Sequence, residues 1–493
     1  MQKKAILLSI IALFLGIQAS AQPISSQTAQ HLAQDFWLHH FGNKAEKLFV
    51  EIPSSYDALH LFNAEDGEGF VIVAADERAT TILGYSDNDI LDTAKMPPAL
   101  LYWLQGYNDQ VLFACQHEAP IAADNTPAKE LDSVAALVPV TWDQGRFYND
   151  SCPVDNTLRG QDLNLHPYTG CAATAMAQVM RYWNWPPHGI GNYSYSWAGV
   201  VGFSWHYGTL SADFEHTTYD WRHMPAKLTA SSTDEEKAAV AKLMYHCGVS
   251  VQMSYNNDHQ GSSGAFLTLE NISGMRNGQE YCVENALYTF FGYKSTLQGL
   301  FREDYPDSTW ITMLKEELRA GRPILYQGRS SNGQTQSGHC FILDGFDTED
   351  HFHINWGWNG HYNAYYAISA LSPYSNCNYS YSQGGLFGVV PDYAAILLRS
   401  DDTVAHPLTS PNSGPSSLLD APTAPSNNIR TWGLEGSIHV SGAQGQEVVV
   451  SDMMGRTCCR MRCHSDNERI VVPSSGIYLV RIGRETMRKT LVR

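Results

Sequence analysis

The chain has 493 residues, of which 43% are hydrophobic and 17% charged, and its formal net charge is −18. This length predicts roughly three domains of about 150 residues each, and the composition is that of a globular chain. The acidic charge argues against nucleic acids and anionic membranes as partners, because both bind basic protein surfaces. The ten cysteines include no Cys-x-x-Cys pair, so their spacing indicates neither a zinc ribbon nor a particular disulfide pairing.

The N-terminus has the pattern of a secretory signal peptide. Lys3 and Lys4 precede an apolar run, Ala5–Ile17, and Ala19-Ser20-Ala21 supplies small residues for cleavage after Ala21. The run is shorter than the ~20 residues that cross a hydrocarbon core, and no later segment approaches that length. We therefore expect residues 1–21 to be a signal peptide, rather than a membrane anchor, and the protein to be secreted or held at the cell surface.

Residues 22–135 are predicted to form a small α+β unit. Leu59–Phe62 and Phe70–Val73 have the composition of strands, and Asp66-Gly67 between them indicates a hairpin. Apolar residues at helical intervals predict a helix from Pro97 to about Ala114.

The segment 136–400 is the largest predicted domain, and a polar stretch from Glu118 to Ser133 separates it from the preceding unit. It is expected to contain a helix beginning near Cys171, a second helix over Ser308–Ala320, and a run of strands from Pro323 to about Val390. Helices followed by strands are typical of an α+β fold rather than of alternating βαβ units.

Two further segments complete the chain. Residues 401–428 contain five prolines among Ser, Thr and Asn, which is the composition of a linker. Residues 429–493 contain apolar runs separated by Gly- and Ser-containing turns, and this pattern predicts a small β-sandwich.

Cys171 is a candidate nucleophile because it lies at the predicted start of a helix. Met176, Val179 and Met180 follow helical spacing, and Pro186-Pro187 ends the pattern. Unpaired N–H groups and the positive end of the helix dipole favour a thiolate there, whereas a free thiol ordinarily has a pKa of about 8.5. A small buried cysteine without a chemical role is the alternative that this position alone leaves open.

A second polar cluster lies in a predicted hairpin formed by residues 337–346 and 352–358. The hairpin is expected to bring His339 and Asn355 together. An amide bonded to one imidazole nitrogen would fix the ring and turn the other nitrogen towards the thiol, and Trp356 would shield this contact from water. A core histidine beside a polar turn is the alternative.

Gln144 lies in the loop before Cys171, and its side-chain N–H is a candidate to form an oxyanion hole with the Cys171 N–H. The order Gln144, Cys171, His339 and Asn355 therefore indicates acyl transfer by a thiol. This chemistry requires neither a metal nor an organic cofactor.

His351 and His353 alternate on a predicted strand, which raises the question of a metal site. No matching cluster of carboxylates or cysteines accompanies them, so packed or solvated strand positions are expected instead.

These motifs resemble those of the streptopain family, which comprises secreted bacterial cysteine peptidases with a papain-like fold. The resemblance extends from about residue 55 to about residue 390 and is carried by Trp142–Gln144, Tyr148-Asn149, Gly170–Gln178, Gly338-His339 and His353–Trp358. It implies that Cys171 is the nucleophile, His339 the base, Asn355 its orienting partner and Gln144 the oxyanion donor. It also implies that Trp356 packs over the His–Asn pair.

The segments His60–Asn63, Gly69–Val73 and Ile82–Tyr85 resemble the inhibitory propeptide of the same family, which implies synthesis as a zymogen. The sequence departs from the family pattern at Cys340, next to the catalytic histidine, so Cys171 need not be the one reactive thiol. Residues 268–281 look inserted near a Gly/Ser loop that resembles a substrate-proximal loop of the family.

The C-terminal runs Val450–Arg456, Pro473–Arg481 and Met487–Arg493 resemble the sorting domain of the type IX secretion system. The resemblance implies passage through the periplasm, translocation by that machinery and removal of the domain. An ordinary binding sandwich, for carbohydrate for example, is the alternative.

We therefore predict an α+β protein in which a papain-like catalytic domain lies between a small propeptide and a small β-sandwich. Its predicted function is that of a secreted cysteine endopeptidase, made as a zymogen, that hydrolyses proteins or peptides and is inhibited by its own propeptide. Another thiol acyl-transfer enzyme, such as a transglutaminase or amidase, and a non-catalytic surface adhesin are the alternatives.

Overall fold

The computed structural model describes residues 23–42, 47–116, 132–155, 165–197, 207–256, 263–268, 281–329, 338–370, 383–393, 430–434, 437–441, 443–452, 457–463, 467–472, 476–482 and 486–492. The chain divides into two compact units, Met1–Thr403 and Val404–Arg493. The predicted signal peptide and linker lie outside the described residues. Within the described ranges, no helix combines the length and apolarity needed to span a membrane.

The first unit mixes helices with antiparallel strands. Its described helices are α1 (Ser26–Phe41), α2 (Pro98–Gln116), α3 (Cys171–Trp183), α4 (Asp234–Ser250), α5 (Val283–Phe291) and α6 (Asp307–Arg319). Its described strands are β1 (Phe49–Glu51), β2 (Leu59–Ala64), β3 (Phe70–Ala74), β4 (Ile82–Ser86), β5 (Asn192–Trp197), β6 (Gly208–Asp213), β7 (Gln298–Phe301), β8 (Ile324–Arg329), β9 (Gly338–Phe346), β10 (His351–Asn355), β11 (Ala364–Ala367) and β12 (Gly384–Phe387).

The predicted local elements are present close to their expected bounds. β2 and β3 form the predicted hairpin, and Gly67 in its turn has a φ of 76°, a left-handed conformation that favours glycine. The predicted helices near Pro97, Cys171 and Ser308 correspond to α2, α3 and α6.

A ten-stranded antiparallel sheet joins the N-terminal part of the unit to the predicted catalytic part. Its strand order is β1-β2-β3-β4-β11-β10-β9-β8-β12-β7. The junction is the pair β4–β11, in which Tyr85 is opposite Tyr365 and Gly84 opposite Tyr366. The domain boundary predicted at residue 135 therefore does not interrupt the sheet.

Helix α3 carries the candidate nucleophile into the core of the catalytic part. It packs against α4 and β9, and residues 172–180 are buried throughout. The helix ends where Asn184 adopts a left-handed conformation, and Trp185 separates this residue from the two prolines that were expected to stop the helix.

The second unit contains two antiparallel sheets that share an apolar core. One sheet has the order β13-β14-β17 and the other β16-β15-β18-β19, and Val440, Val448 and Val480 belong to the common core. This arrangement agrees with the predicted β-sandwich. The strands are β13 (Arg430–Leu434), β14 (Ser437–Ser441), β15 (Glu447–Asp452), β16 (Thr457–Arg462), β17 (Asn467–Val471), β18 (Gly476–Ile482) and β19 (Thr486–Val492).

Candidate active site

Cys171 is the first residue of α3, and the residue before it has to be glycine. Gly170 has a φ of 90°, and a Cβ added to it would lie 2.5 Å from Sδ of Met253. As the N-cap, Gly170 makes no side-chain hydrogen bond to the helix. The N–H groups in the first turn of a helix have no acceptor within that helix. In α3, the residue at the N-cap position does not supply a side-chain acceptor for them either.

His339 lies at the start of β9 and is oriented by a backbone carbonyl. Its Nε2 is 2.9 Å from the carbonyl oxygen of Trp356, so Nε2 carries the proton and Nδ1 is the nitrogen left for the thiol. The imidazole stacks on Trp358, with ring centroids 4.8 Å apart and planes inclined by 27°.

The thiol of Cys171 forms hydrogen bonds with the side chains of Cys340 and His339 and with the backbone of Cys340. The hydrogen bond from the Cys340 thiol, together with the hydrogen bond and charge of His339, holds the pKa of Cys171 well below its ordinary value, although burial opposes this shift. The predicted juxtaposition of Cys171 and His339 is present, and a thiolate is favoured at Cys171.

Asn355 requires a correction to the sequence-based geometry. Its Nδ2 donates to the carbonyl oxygen of Val140 at 2.8 Å, and its Oδ1 accepts from the N–H of Gly357 at 3.2 Å. The expected bond from this amide to His339 is replaced by the bond to the Trp356 carbonyl. The physical reason is that both ends of the amide already satisfy backbone groups, which would otherwise be buried without partners.

Gln178 connects the segments around the site, a role that the sequence analysis missed. It is fully buried, and its Oε1 accepts from the N–H of Trp142 at 2.9 Å and from Nδ2 of Asn355 at 3.3 Å. Gln178 follows Cys171 by seven residues, which is two helical turns. A lone amide on the same helical face as the nucleophile was the signal that identifies it.

Gln144 lies in a loop that is attached to the segment entering α3. Its carbonyl oxygen accepts from the N–H of Thr169 at 3.0 Å. In the same loop, Nδ2 of Asn149 donates to the carbonyl oxygens of His166 and Pro167 at 3.0 and 3.2 Å. These bonds hold the loop beside the candidate nucleophile Cys171, while the contact of the Gln144 side chain with an oxyanion stays a prediction.

Trp356 is buried beside the imidazole. Its ring is parallel to that of Trp358, with centroids 5.1 Å apart, and meets Trp103 edge to face at 6.0 Å. Trp103 also packs edge to face on Phe341 at 5.7 Å. Because Trp103 belongs to α2, the N-terminal part of the chain reaches the aromatic cluster that surrounds His339.

The two histidines of β10 each pair with a carboxylate. Nδ1 of His351 lies 2.9 Å from Asp347, and Nδ1 of His353 lies 2.5 Å from Asp344. The ring of His351 also donates to the carbonyl oxygen of Ile82 in β4 at 2.9 Å. Both rings are thus held by hydrogen bonds within the protein, and no metal-binding group of three His, Cys, Asp or Glu occurs in the parts of the chain that the structure describes.

A cysteine at a helix N-terminus, in contact with a histidine on a strand of an α+β fold, defines the papain-like class of cysteine peptidases. The N-terminal α+β part fits the precursor form of such an enzyme. Family comparison agrees: residues 142–366 match the Peptidase C10 family, and residues 21–111 match the Spi protease inhibitor. The chain also matches a fragment of Prevotella intermedia prointerpain A, with 30% identity, a TM-score of 0.57 and coverage of 70% of this chain and 99% of that one. The chain therefore belongs to the Peptidase C10 family.

Two curated relatives extend this result. The thiol protease/hemagglutinin PrtT of Porphyromonas gingivalis is 30% identical over 391 residues, which are 76% of this chain but 40% of that protein. Streptopain of Streptococcus pyogenes is 29% identical over 336 residues, which are 67% of this chain and 78% of that protein. The predicted membership of the streptopain family, with its inhibitory propeptide, is confirmed.

The C-terminal residues 420–492 match a family described as a domain of unknown function (DUF6383). That description assigns no activity, so the sorting role expected for this part remains a prediction.

Proposed function

We propose that the chain is the precursor of an exported cysteine endopeptidase that hydrolyses proteins or peptides through an acyl-enzyme intermediate. The observation that carries this proposal is the hydrogen bond between Cys171 and His339 at the N-terminus of α3. The thiolate attacks the scissile carbonyl, His339 protonates the leaving amine, and a water molecule deprotonated by His339 releases the acyl group.

The oxyanion of each tetrahedral intermediate is assigned to the side chain of Gln144 and the N–H of Cys171. The hydrogen bonds that fix the Gln144 loop next to α3 support this assignment. Asn355 acts as a positioning residue, because its bond to the N–H of Gly357 fixes the turn that carries the Trp356 carbonyl. Trp356 shields the imidazole from water.

The N-terminal part is assigned the role of intramolecular inhibitor. Helix α2 supports this role, since Trp103 packs on Phe341 and Trp356, while Oε1 of Gln110 accepts from Ser369 Oγ at 2.7 Å. Contact between Cys171 and His339 persists beside the docked inhibitor, which favours obstruction of the substrate cleft over displacement of the histidine.

Maturation is expected to remove the N-terminal part by cleavage upstream of Val134. The N–H and carbonyl of Val134 form two hydrogen bonds with Phe346 of β9, each 2.8 Å long, and the N–H of Leu137 donates to Asp344 at 2.9 Å. A segment tied to β9 in this way belongs with the mature enzyme. These bonds favour cleavage at residues 118–131, within the polar stretch that separates the two predicted domains.

The export route is proposed from residues 1–21 and 429–493. The signal pattern directs the chain to the periplasm, and the C-terminal unit is proposed to engage the type IX secretion machinery before its removal. Deletion of residues 429–493 is expected to leave the protein in the periplasm, whereas unchanged surface delivery of the deletion variant would contradict this route.

The proposed chemistry is tested by labelling matured protein with E-64 or iodoacetamide, mapping the label by peptide mass spectrometry, and assaying casein hydrolysis in parallel. Labelling of Cys171 that tracks with lost hydrolysis is expected. Release of peptide amines, rather than formation of cross-linked products, distinguishes a peptidase from a transglutaminase. An adhesin would give neither the label nor the products.

Autocatalytic maturation is tested with the Cys171→Ala precursor. This variant should persist uncleaved when purified alone and should be processed when a catalytic amount of mature wild-type enzyme is added. Normal processing of the purified variant without added enzyme would rule out self-cleavage.

A further inference from the structure

The active centre contains a second thiol that the acyl-transfer mechanism does not use. Cys340 is 6% exposed, and its side chain and backbone both form hydrogen bonds with the thiol of Cys171. Neither residue forms a disulfide bond in the structure. The thiols of Cys171 and Cys340 therefore interact directly without a disulfide bond, and Cys171 is the proposed nucleophile.

This juxtaposition follows from the alternation of side chains along β9. Cys340 belongs to the apolar cluster that contains Ala172 and Met176 of α3, whereas Phe341 belongs to the cluster on the other face of the sheet. The side chain of Cys340 is thus directed towards the N-terminal turn of α3, where Cys171 lies.

The other described thiols of the catalytic core have surroundings that suppress reactivity. Burial raises the pKa values of Cys152 and Cys282 to about 12, and it also raises the pKa of Cys247. The thiol of Cys247 instead packs 3.6 Å from Sδ of Met180. Cys171 is set apart from these residues because its thiolate is stabilised, and thiolates are the form that oxidants attack.

We propose that Cys340 is a resolving cysteine, which forms a reversible disulfide with Cys171 and so switches the peptidase off in the presence of hydroperoxides. The inference rests on the proposed role of Cys171 as nucleophile. The inactive disulfide also protects Cys171 from irreversible oxidation, and an exported enzyme meets oxidising surroundings in which such protection is useful.

The reaction balances with hydrogen peroxide as the oxidant. The Cys171 thiolate attacks one peroxide oxygen, the O–O bond breaks, and a sulfenic acid and hydroxide form. The Cys340 sulfur then attacks the sulfur of the sulfenic acid, its hydroxyl leaves, and the thiol proton converts that hydroxide to water. One thiolate and one thiol are oxidised to one disulfide, and one peroxide is reduced to one water and one hydroxide ion. Reduction by a small thiol reverses the change.

The test treats matured wild-type enzyme with a small molar excess of hydrogen peroxide and follows both mass and activity. We expect the intact protein to lose the mass of two hydrogen atoms, and a non-reducing digest to contain the Cys171 and Cys340 peptides linked to each other. Dithiothreitol should restore activity. A Cys247→Ala variant, which alters a buried thiol of α4, is the matched control and should behave as the wild type does.

The Cys340→Ala variant should behave differently under the same treatment. Without a resolving thiol, Cys171 should gain two or three oxygen atoms, and we expect the activity recovered with dithiothreitol to be at least about fivefold lower than in the wild type. If the Cys340→Ala variant does not fold, the wild type is tested instead with phenylarsine oxide, a reagent that bridges two adjacent thiols. One molecule of the reagent should bind per protein molecule, at Cys171 and Cys340.

Failure of this inference is distinguishable from failure of the proposed function. Active peptidase whose Cys171 oxidises to a sulfinic acid, with no linked peptide, would overturn the resolving role of Cys340. If the Cys171 and Cys340 peptides are linked but the protein never hydrolyses casein, the inference of a reactive thiol pair stands and the proposed peptidase function is wrong.

Discussion

The carbonyl oxygen of Trp356 accepts a hydrogen bond of 2.9 Å from Nε2 of His339. His339 is the second residue of β9, and Trp356 directly follows β10, so the bond connects the two strands at the open end of that hairpin. The orientation of the imidazole therefore depends on a backbone group, and the neighbouring side chain of Asn355 acts on it through the turn to Gly357.

Substitution Asn355→Ala should lower kcat more than it changes KM. The substitution removes the acceptor for the N–H of Gly357 and the donor to Val140, so the turn that carries the Trp356 carbonyl loosens; we expect kcat to fall about ten- to a hundredfold. Steady-state kinetics on casein-derived peptides measure the two constants. The pH dependence of Cys171 alkylation should also shift, which a purely structural defect would not cause.

The variant Asn355→Asp is the matched control, because it keeps the acceptor for Gly357 but loses the donor to Val140. It should retain more activity than the alanine variant. Equal losses in both variants would mean that the Gly357 bond does not position the site.

Trp103→Ala should accelerate maturation of the precursor. The two edge-to-face contacts that Trp103 makes with Phe341 and Trp356 contribute together about 1–2 kcal/mol, so docking of the N-terminal part should weaken about five- to thirtyfold. The rate of precursor conversion, followed on denaturing gels, gives the effect.

Leu101→Ala, at an exposed position of the same helix, serves as the control and should mature at the wild-type rate. Acceleration by both substitutions would indicate a general effect of altering α2 rather than loss of the aromatic contact.

The sheet junction should lose stability in acid because of Asp347. Burial raises the pKa of this carboxyl, but the hydrogen bond and charge of His351 outweigh it and lower the pKa to about 2. The folded pKa lies below the unfolded value, so the stabilisation, about 2 kcal/mol, is present above about pH 4 and is lost as the pH falls through about 2.

The pKa of His351 shifts in the opposite direction to that of Asp347, so its contribution to stability has the opposite pH dependence. Burial lowers its pKa, yet the bond to Asp347 gives a net rise, so its stabilisation is present below the ordinary histidine pKa and is lost as the pH rises through the raised value. Urea unfolding of the Cys171→Ala precursor measures the free energy of unfolding across this range, and the contributions of Asp347 and His351 should both be present between about pH 4 and pH 6.5. In the Asp347→Asn variant, the free energy of unfolding should fall less steeply below about pH 4. The same steep fall in this variant would contradict the role assigned to Asp347.

His246 should make the catalytic part sensitive to acid. Burial, with a smaller contribution from Lys242, lowers the pKa of His246 to about 4, and its Nδ1 lies 2.9 Å from the hydroxyl of Tyr219. Because the unfolded chain binds the proton more tightly, stability should decline from about pH 6.5 towards pH 4, by about 3 kcal/mol in total.

The pH dependence of the free energy of unfolding, measured for wild type and His246→Gln, tests this assignment. The glutamine variant keeps a polar group near Tyr219 but does not titrate, so its stability should vary less over the same interval. If the free energy of unfolding has the same pH dependence in the wild type and in His246→Gln, the sensitivity to acid arises from groups other than His246.

The sequence by itself determined the elements whose signals are local. Helical periodicity and the two prolines defined α3 with Cys171 at its start, and alternating residues around a short polar loop defined the β9–β10 hairpin with His339. Helix α1 was missed because its apolar residues were not distinguished from those of the surrounding unit. Family motifs supplied the same candidate residues independently.

Only the tertiary structure decided which groups meet. Tyr85 and Tyr365 pair across the β4–β11 junction although 280 positions separate them, and the edges of β-strands carry no sequence signal for such distant partners. The partner of His339, the buried links of Gln178 and the contact of Cys340 with Cys171 likewise depend on side-chain rotamers and turn geometry. These rotamers and turns are fixed by packing between segments that are distant in the sequence, because nearly every buried polar group in a folded protein has a hydrogen-bond partner. Local sequence patterns do not show which partner that is.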